Sequence, residues 1–141
     1  MIYTPLTKKA YKVAFEAHRD QLDKTGLPYI HHPLHLAEQM SDEITTCVAL
    51  LHDVVEDTTV TIEDLMPIFP REVIDAVRVM THGEDEPYLD YVQRVKTNPI
   101  AKIVKLADLR HNSDESRMPD ASEEKRQYFR AKYKAAFEIL K

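Results

Sequence analysis

Leu50-Leu51-His52-Asp53-Val54-Val55-Glu56-Asp57 is where this chain's chemistry concentrates. One imidazole and three carboxylates interrupt an apolar run that begins at Ile44. On a continuous helix, His52 and Glu56 share one face at i,i+4. Asp53 and Asp57 share the adjacent stripe, about 100° round. Val48, Leu51, Val54 and Val55 then turn the other way, into a core. Carboxylates this close repel one another and lose solvation when partly buried. A bound cation offsets both costs. A solvated acidic helix end is the ordinary fate of such residues, but the strongly apolar lead-in argues for a metal site.

Other segments can supply further ligands. Tyr29-Ile30-His31-His32-Pro33 follows a break at Thr25-Gly26-Leu27-Pro28. Pro33 biases His32 away from helical angles. That predicts an N-cap-like position on restrained backbone, where little freedom is lost on binding. His31 and His35 read as structural or exposed. Asp108 ends the run Ile100-Ala101-Lys102-Ile103-Val104-Lys105-Leu106-Ala107, whose Ile100, Ile103, Val104 and Ala107 form an apolar stripe. A buried acid there needs a partner, either a Lys or Arg or a metal. Asn112, four residues on, shares its face.

Two imidazoles and two carboxylates, His32, His52, Asp53 and Asp108, suit a divalent cation such as Mn²⁺, Fe²⁺ or Zn²⁺. Such a set leaves positions for water and substrate. The cation lowers the pKa of water and holds a phosphoryl oxygen. Glu56 and Asp57, one turn beyond, are placed to orient or deprotonate that water. This describes metal-assisted phosphoester hydrolysis.

The elements that must position these groups are helical. Two glycines in 141 residues and no long alternating β-branched run predict an all-α fold, a single domain over 1–141. Thr4 and Pro5 open a helix to about Lys24, and Pro33 opens one to about Met40. Ser41 caps the helix that carries Ile44 to Asp57. Thr61 with Asp64 forms a capping box for a helix from Ile62 to Phe69. Pro70 to His82, Tyr88 to Lys96, Pro99 onward behind Asn98, and Ser122 to Leu140 complete the set. Glu84-Asp85-Glu86 reads as a solvated turn, Ser113 to Ala121 as a loop, and His18 and Arg19 as solvated. Phe129, Tyr133, Ala136, Phe137 and Leu140 read as core rather than as a stacking platform.

A net charge of −5 argues against nucleic-acid binding. The lone Cys47 reads as core filler in a reducing compartment. No secretory signal or membrane-spanning run is visible. These features predict a cytoplasmic protein.

Three blocks in order now resemble the HD-domain phosphohydrolases, more narrowly the hydrolase domain of RelA/SpoT-type alarmone enzymes and the small alarmone hydrolases. The blocks are Gly26 to Pro33, Ala49 to Thr58, and Val104 to Asp108 with Asn112, within roughly residues 10 to 115. The resemblance implies an HD-domain helical bundle and Mn²⁺-dependent removal of pyrophosphate from the 3′ position of (p)ppGpp, giving GDP or GTP. It implies His32, His52, Asp53 and Asp108 as metal ligands and Glu56 and Asp57 as catalytic acids. It implies Lys24, Tyr29 and Asn112 as residues lining the nucleotide site. A synthetase domain has no room here, so hydrolysis alone is expected.

One position departs from the pattern. The family usually carries, before Lys24, an arginine that packs on guanine; here it is Asp23. An anion supplies no cation–π contact and repels phosphates. Arg19, one helical turn earlier, is the cationic alternative. The departure leaves a second substrate class open: an adenine alarmone, a nucleoside monophosphate or NADPH. A non-catalytic metal- or nucleotide-binding module is a third reading, and the intact Glu56-Asp57 pair counts against it.

Overall fold

A computed structural model describes residues 1–141. The chain is all-helical; the nearest thing to a strand is an isolated antiparallel bridge between Leu22 and Pro28. Helix α1 is Pro5–Ala17, α2 His31–Glu38, α3 Glu43–Leu51, α4 Val54–Asp57 and α5 Ile62–Leu65. Helix α6 is Arg71–Met80, α7 Tyr88–Lys96, α8 Pro99–Asn112 and α9 Glu123–Leu140. A 3₁₀ turn, Glu115–Arg117, interrupts the loop before α9.

Helix α3 is the centre of the bundle. All seven residues from Thr45 to Leu51 are buried, and α1, α2, α6 and α8 pack around them. Burying a Val or Leu side chain stabilises by about 1.5–3 kcal/mol, so this helix is the natural anchor for whatever its end presents. Cys47 is free and buried there, as core filler should be. Asp42, not Ser41, caps α3, its Oδ1 accepting from the Thr45 N–H at 2.7 Å. A carboxylate at the positive end of the helix is the stronger acceptor.

The helix predicted through Ile44–Asp57 breaks at His52–Asp53. His52 Nδ1 lies 2.7 Å from the Ala49 carbonyl, a side-chain bond that draws on the helix's own acceptors. Asp53 adopts φ −106°, ψ 0°, and α4 restarts at Val54. The break puts His52 and Asp53 side by side instead of on successive helical stripes.

Three other boundaries differ from expectation. Helix α1 stops at Ala17, not near Lys24. The Asp23 carboxylate collects the N–H groups of Thr25 at 2.8 Å and Leu27 at 3.1 Å. Gly26 takes φ +86°, which suits a residue without Cβ. Lys24 therefore sits on a tight loop. Helix α2 begins two residues before Pro33, so His32 is helical rather than N-capping. Pro33 is tolerated because first-turn amides have no carbonyl to reach. Helix α5 ends at Leu65, before the segment that Pro70 constrains.

Thr4, Asn98 and Ser122 cap α1, α8 and α9, and Thr61 with Asp64 forms its box, all as their types predict. Helix α8 is less simply amphipathic than its sequence suggests. Ile103 is 50% exposed, while Lys105, Asp108 and His111 are buried with Ala101, Val104, Ala107 and Leu109. Helices α3, α6, α7 and α9 all pack against α8, so two of its faces are covered and its polar side chains are drawn inward.

Candidate metal centre

His32 comes from the first turn of α2, His52 and Asp53 from the break after α3, and Asp108 from the last full turn of α8. They meet. His32 Nε2 is 2.8 Å from Asp108 Oδ1, and His52 Nε2 is 3.6 Å from the same oxygen. His52 Nε2 is 2.9 Å from Asp53 Oδ2. One ligand atom each from His32, His52 and Asp53 lies within 4.8 Å of the other two. His32 is 3% exposed, His52 2% and Asp108 5%, so these donors face one another, not solvent.

Asp108 is held from several sides. Its Oδ2 accepts from Lys105 Nζ at 2.8 Å, and its Oδ1 from Asn112 Nδ2 at 3.0 Å. The salt-bridge alternative for this acid is therefore realised, with Lys105, and the acid also stands beside both histidines. Burial alone would raise its pKa, but Lys105 and the two imidazoles outweigh burial and hold it well below the usual carboxylate range. Burial likewise opposes charge on His52; Asp53 and Asp108 overcome it and raise His52 well above its ordinary value.

Glu56 and Asp57 stand at the exposed rim, and one oxygen from each lies within 4.8 Å of Asp53. The surrounding protein still screens them. Burial, then Asp53 and Glu56, lifts Asp57 to about 6. Burial lifts Glu56 too, against the His82 N–H that donates to its Oε1 at 2.6 Å. Of the acidic loop, Glu84 and Asp85 are exposed as a solvated turn should be, but Glu86 is engaged. Glu86 is clamped by Arg94 through Nε at 3.0 Å and Nη2 at 2.8 Å, and His82 Nε2 lies 2.5 Å from the Glu86 carbonyl.

Tyr29 donates its hydroxyl to Asp53 and lies 3.4 Å from an Asp57 oxygen. Burial and these acids raise its pKa, so it remains a donor. Lys24 Nζ donates to the Asn112 carbonyl at 3.1 Å and lies 5.4 Å from the Phe129 ring centroid and 5.8 Å from that of Tyr133. Asp23, Lys24, Tyr29, Asn112, Arg117 and Tyr133 line a cleft that His32 closes. An adjoining cavity shares Lys24, Asn112 and Tyr133 and adds Phe129 and Arg126. Phe129 and Tyr133 thus wall a cavity, where the sequence suggested core alone.

Asp23 does not face this cleft as a free anion. Its side chain is 4% exposed, bonded to Thr25 and Leu27, with Arg117 Nη2 at 3.6 Å. Asp23 nonetheless lines the cleft, and Arg117 offsets the charge that the sequence set against phosphates. Arg19 pairs with Glu16 at the surface; the guanidinium at the cleft is that of Arg117. Pairing with Asp23 needs no sequence proximity, so no spacing rule could find it.

Sequence reasoning also missed Lys105, His111 and His18. Sequence alone does not single out Lys105 as the partner of Asp108, yet it lies beside that acid and Tyr91. His111 Nδ1 lies 2.7 Å from His32 Nδ1. His18, read as solvated, is buried, and its ring lies 4.6 Å from that of Tyr29.

Residues 10–111 match the family model described as HD domain. The chain belongs to the HD-domain family. It is similar to a probable GTP pyrophosphokinase of Mycobacterium leprae, 36% identical over 120 residues that cover 76% of this chain and 15% of that one. It is similar to the bifunctional (p)ppGpp synthase/hydrolase SpoT of Escherichia coli, 33% identical over 120 residues covering 74% and 17%. The chain spans less than a fifth of the length of these relatives. A solved structure of a metazoan ortholog of SpoT that hydrolyzes ppGpp and plays a role in starvation responses superposes with a TM-score of 0.82. It is 25% identical and covers 100% of this chain and 88% of that one.

An HD domain implies a divalent metal, and these residues fit one. His52 Nε2 is buried and lacks a properly aligned hydrogen-bond partner, although Asp53 and Asp108 lie beside it. A buried nitrogen without a bond is costly. A cation among these imidazoles and carboxylates uses that lone pair and relieves the crowding of acids.

Proposed function

We propose that this HD domain is a Mn²⁺-dependent hydrolase of (p)ppGpp-like alarmones, releasing pyrophosphate from the 3′ position and leaving GDP or GTP. The convergence of His32, His52, Asp53 and Asp108 on one volume, beside a carboxylate pair and a cleft with cationic walls, carries this reading. The SpoT-type relatives support the substrate class.

In this reading His32, His52, Asp53 and Asp108 hold the ion. When bound, the ion supplies Lewis acidity towards a water and a phosphoryl oxygen. Water attacks the phosphorus attached to the ribose 3′ oxygen. The bond from that phosphorus to the ribose breaks, and the ribose oxygen leaves and takes up a proton. Asp57, lifted to about 6, receives the water's proton. Glu56, fixed by the His82 N–H, orients the attacking water. Tyr29 keeps Asp53 aimed inward. Lys24 and Arg117 offer positive charge to phosphates, and Phe129 and Tyr133 offer apolar faces to the base and ribose. Asp23 also lines this cleft, and Arg117 at 3.6 Å offsets its charge towards a highly charged substrate. The reaction belongs in the cytoplasm, and a free, buried Cys47 accords with that.

Purified protein with ppGpp and Mn²⁺ should release pyrophosphate. No turnover with any divalent ion would remove the proposal. Release of inorganic phosphate from a nucleoside monophosphate or NADPH, with ppGpp untouched, would replace it with the second substrate class.

A further inference from the structure

His111 lies outside the proposed ligand set, yet its ring is built into it. Its Nδ1 is 2.7 Å from Nδ1 of His32, and both rings are buried. The ring planes differ by 7° and the centroids are 5.0 Å apart. With so short a nitrogen–nitrogen contact, the rings meet edge to edge in nearly one plane, each Nδ1 aimed at the other. A single proton fits between them, so one nitrogen donates and the other accepts.

His111 is itself clamped. The His35 ring lies 4.1 Å away at 26°, and Arg117 Nη1 donates to the His111 carbonyl at 2.8 Å. The ring cannot swing aside without breaking its contacts with His35 and His32 on α2.

The far side of His32 settles which nitrogen must carry the proton. Its Nε2 faces Asp108 Oδ1 at 2.8 Å, towards His52 and Asp53. An imidazole ligates through an unprotonated nitrogen, and its tautomer is set by the bond its other nitrogen makes. Without an acceptor at Nδ1, His32 can place its proton on Nε2 and donate it to Asp108, which blocks ligation. We infer that His111 is a positioning residue for the metal: its Nδ1 accepts the His32 Nδ1 proton and holds the Nε2 lone pair of His32 towards the other ligands. This rests on the metal-centre reading above. The usual acceptor in this place is a carboxylate or a carbonyl; an imidazole keeps the position neutral, in a site already crowded with acids.

The test begins with the parent protein. Its affinity for Mn²⁺ is measured by counting free ion in electron paramagnetic resonance titrations. A parent that binds no divalent ion overturns the metal centre, and this inference with it. With binding established, ¹H–¹⁵N spectra of the Zn²⁺-loaded parent should put the His32 proton on Nδ1; a proton on Nε2 overturns the inference while leaving the metal centre standing. His111→Phe keeps the ring and removes the acceptor. It should bind Mn²⁺ roughly 10–100-fold more weakly, the usual loss for an outer partner. His111→Asn offers an oxygen near the lost Nδ1 and should stay within about threefold of the parent. His111→Phe binding as tightly as the parent, or His111→Asn as weakly as His111→Phe, overturns the inference. If His111→Phe loses its helical circular dichroism, the spectra and His111→Asn still decide.

Discussion

Substituting Asp108 by Ala should destabilise the protein before any metal is considered. The carboxylate faces Lys105 Nζ at 2.8 Å, and both residues are buried. Removing one partner strands an ammonium in the core, which typically costs about 3–5 kcal/mol. Asn112 and His32 lose an acceptor as well, which pushes the cost towards the upper end. Domains hold about 5–15 kcal/mol in total, so the variant should fold but melt early. At about 2–4 °C per kcal/mol, Tm falls by roughly 6–20 °C. The double variant Lys105→Met, Asp108→Ala removes the stranded charge and should regain most of that loss. Neither variant should bind Mn²⁺. Thermal melts by circular dichroism in chelator, at neutral pH, give the stability, and Mn²⁺ titration gives the site. A single variant melting less than about 3 °C below the parent, or a double variant no more stable than the single, would refute the account of Lys105 and Asp108 as a buried pair. Mn²⁺ binding by the double variant would refute the ligand role.

Asp57→Asn should lower turnover by about 10²–10⁴-fold with Mn²⁺ affinity within about threefold; a variant with parental turnover would take Asp57 out of the chemistry. The same groups set the stability of the metal-free protein. Burial first, then neighbouring acids, raises the folded pKa of Asp57 and Glu56, so the native state binds their protons more tightly than the unfolded chain. That contribution is complete below the unfolded value of about 4 and is lost as pH rises through about 6. His18, His35 and His111, with lowered folded values, act in the opposite sense, so the stability of the parent relative to Asp57→Asn, from melts in chelator, should fall across this window, and an unchanged difference would count against it. Leu51→Ala, a fully buried residue at the end of α3, should cost about 2–5 kcal/mol by chemical denaturation, with loss of metal affinity because His52 and Asp53 follow it directly. Lys24→Ala should raise KM for ppGpp with kcat little changed; a fall in kcat alone would place Lys24 in the chemistry.

How much of this was legible depends on the range of the interaction. Caps at Thr4, Thr61, Asn98 and Ser122 and the burial of Val48, Leu51 and Val54 are local matters of residue type and 3.6-residue spacing, and the sequence determined them. So too the three motif blocks, whose composition carries the family resemblance. The helix break at His52–Asp53 was hidden because a periodic pattern does not reveal that one side chain will take its own helix's carbonyl. Where three distant segments meet is a tertiary fact. Only packing around α3 brings His32 to Asp108 across 76 positions, turns Lys105 inward, and sets His111 against His32. Only the folded loop shows Asp23 committed to Arg117. Periodicity and propensity act over a few residues, whereas a charge's partner is chosen by whatever the finished core leaves beside it.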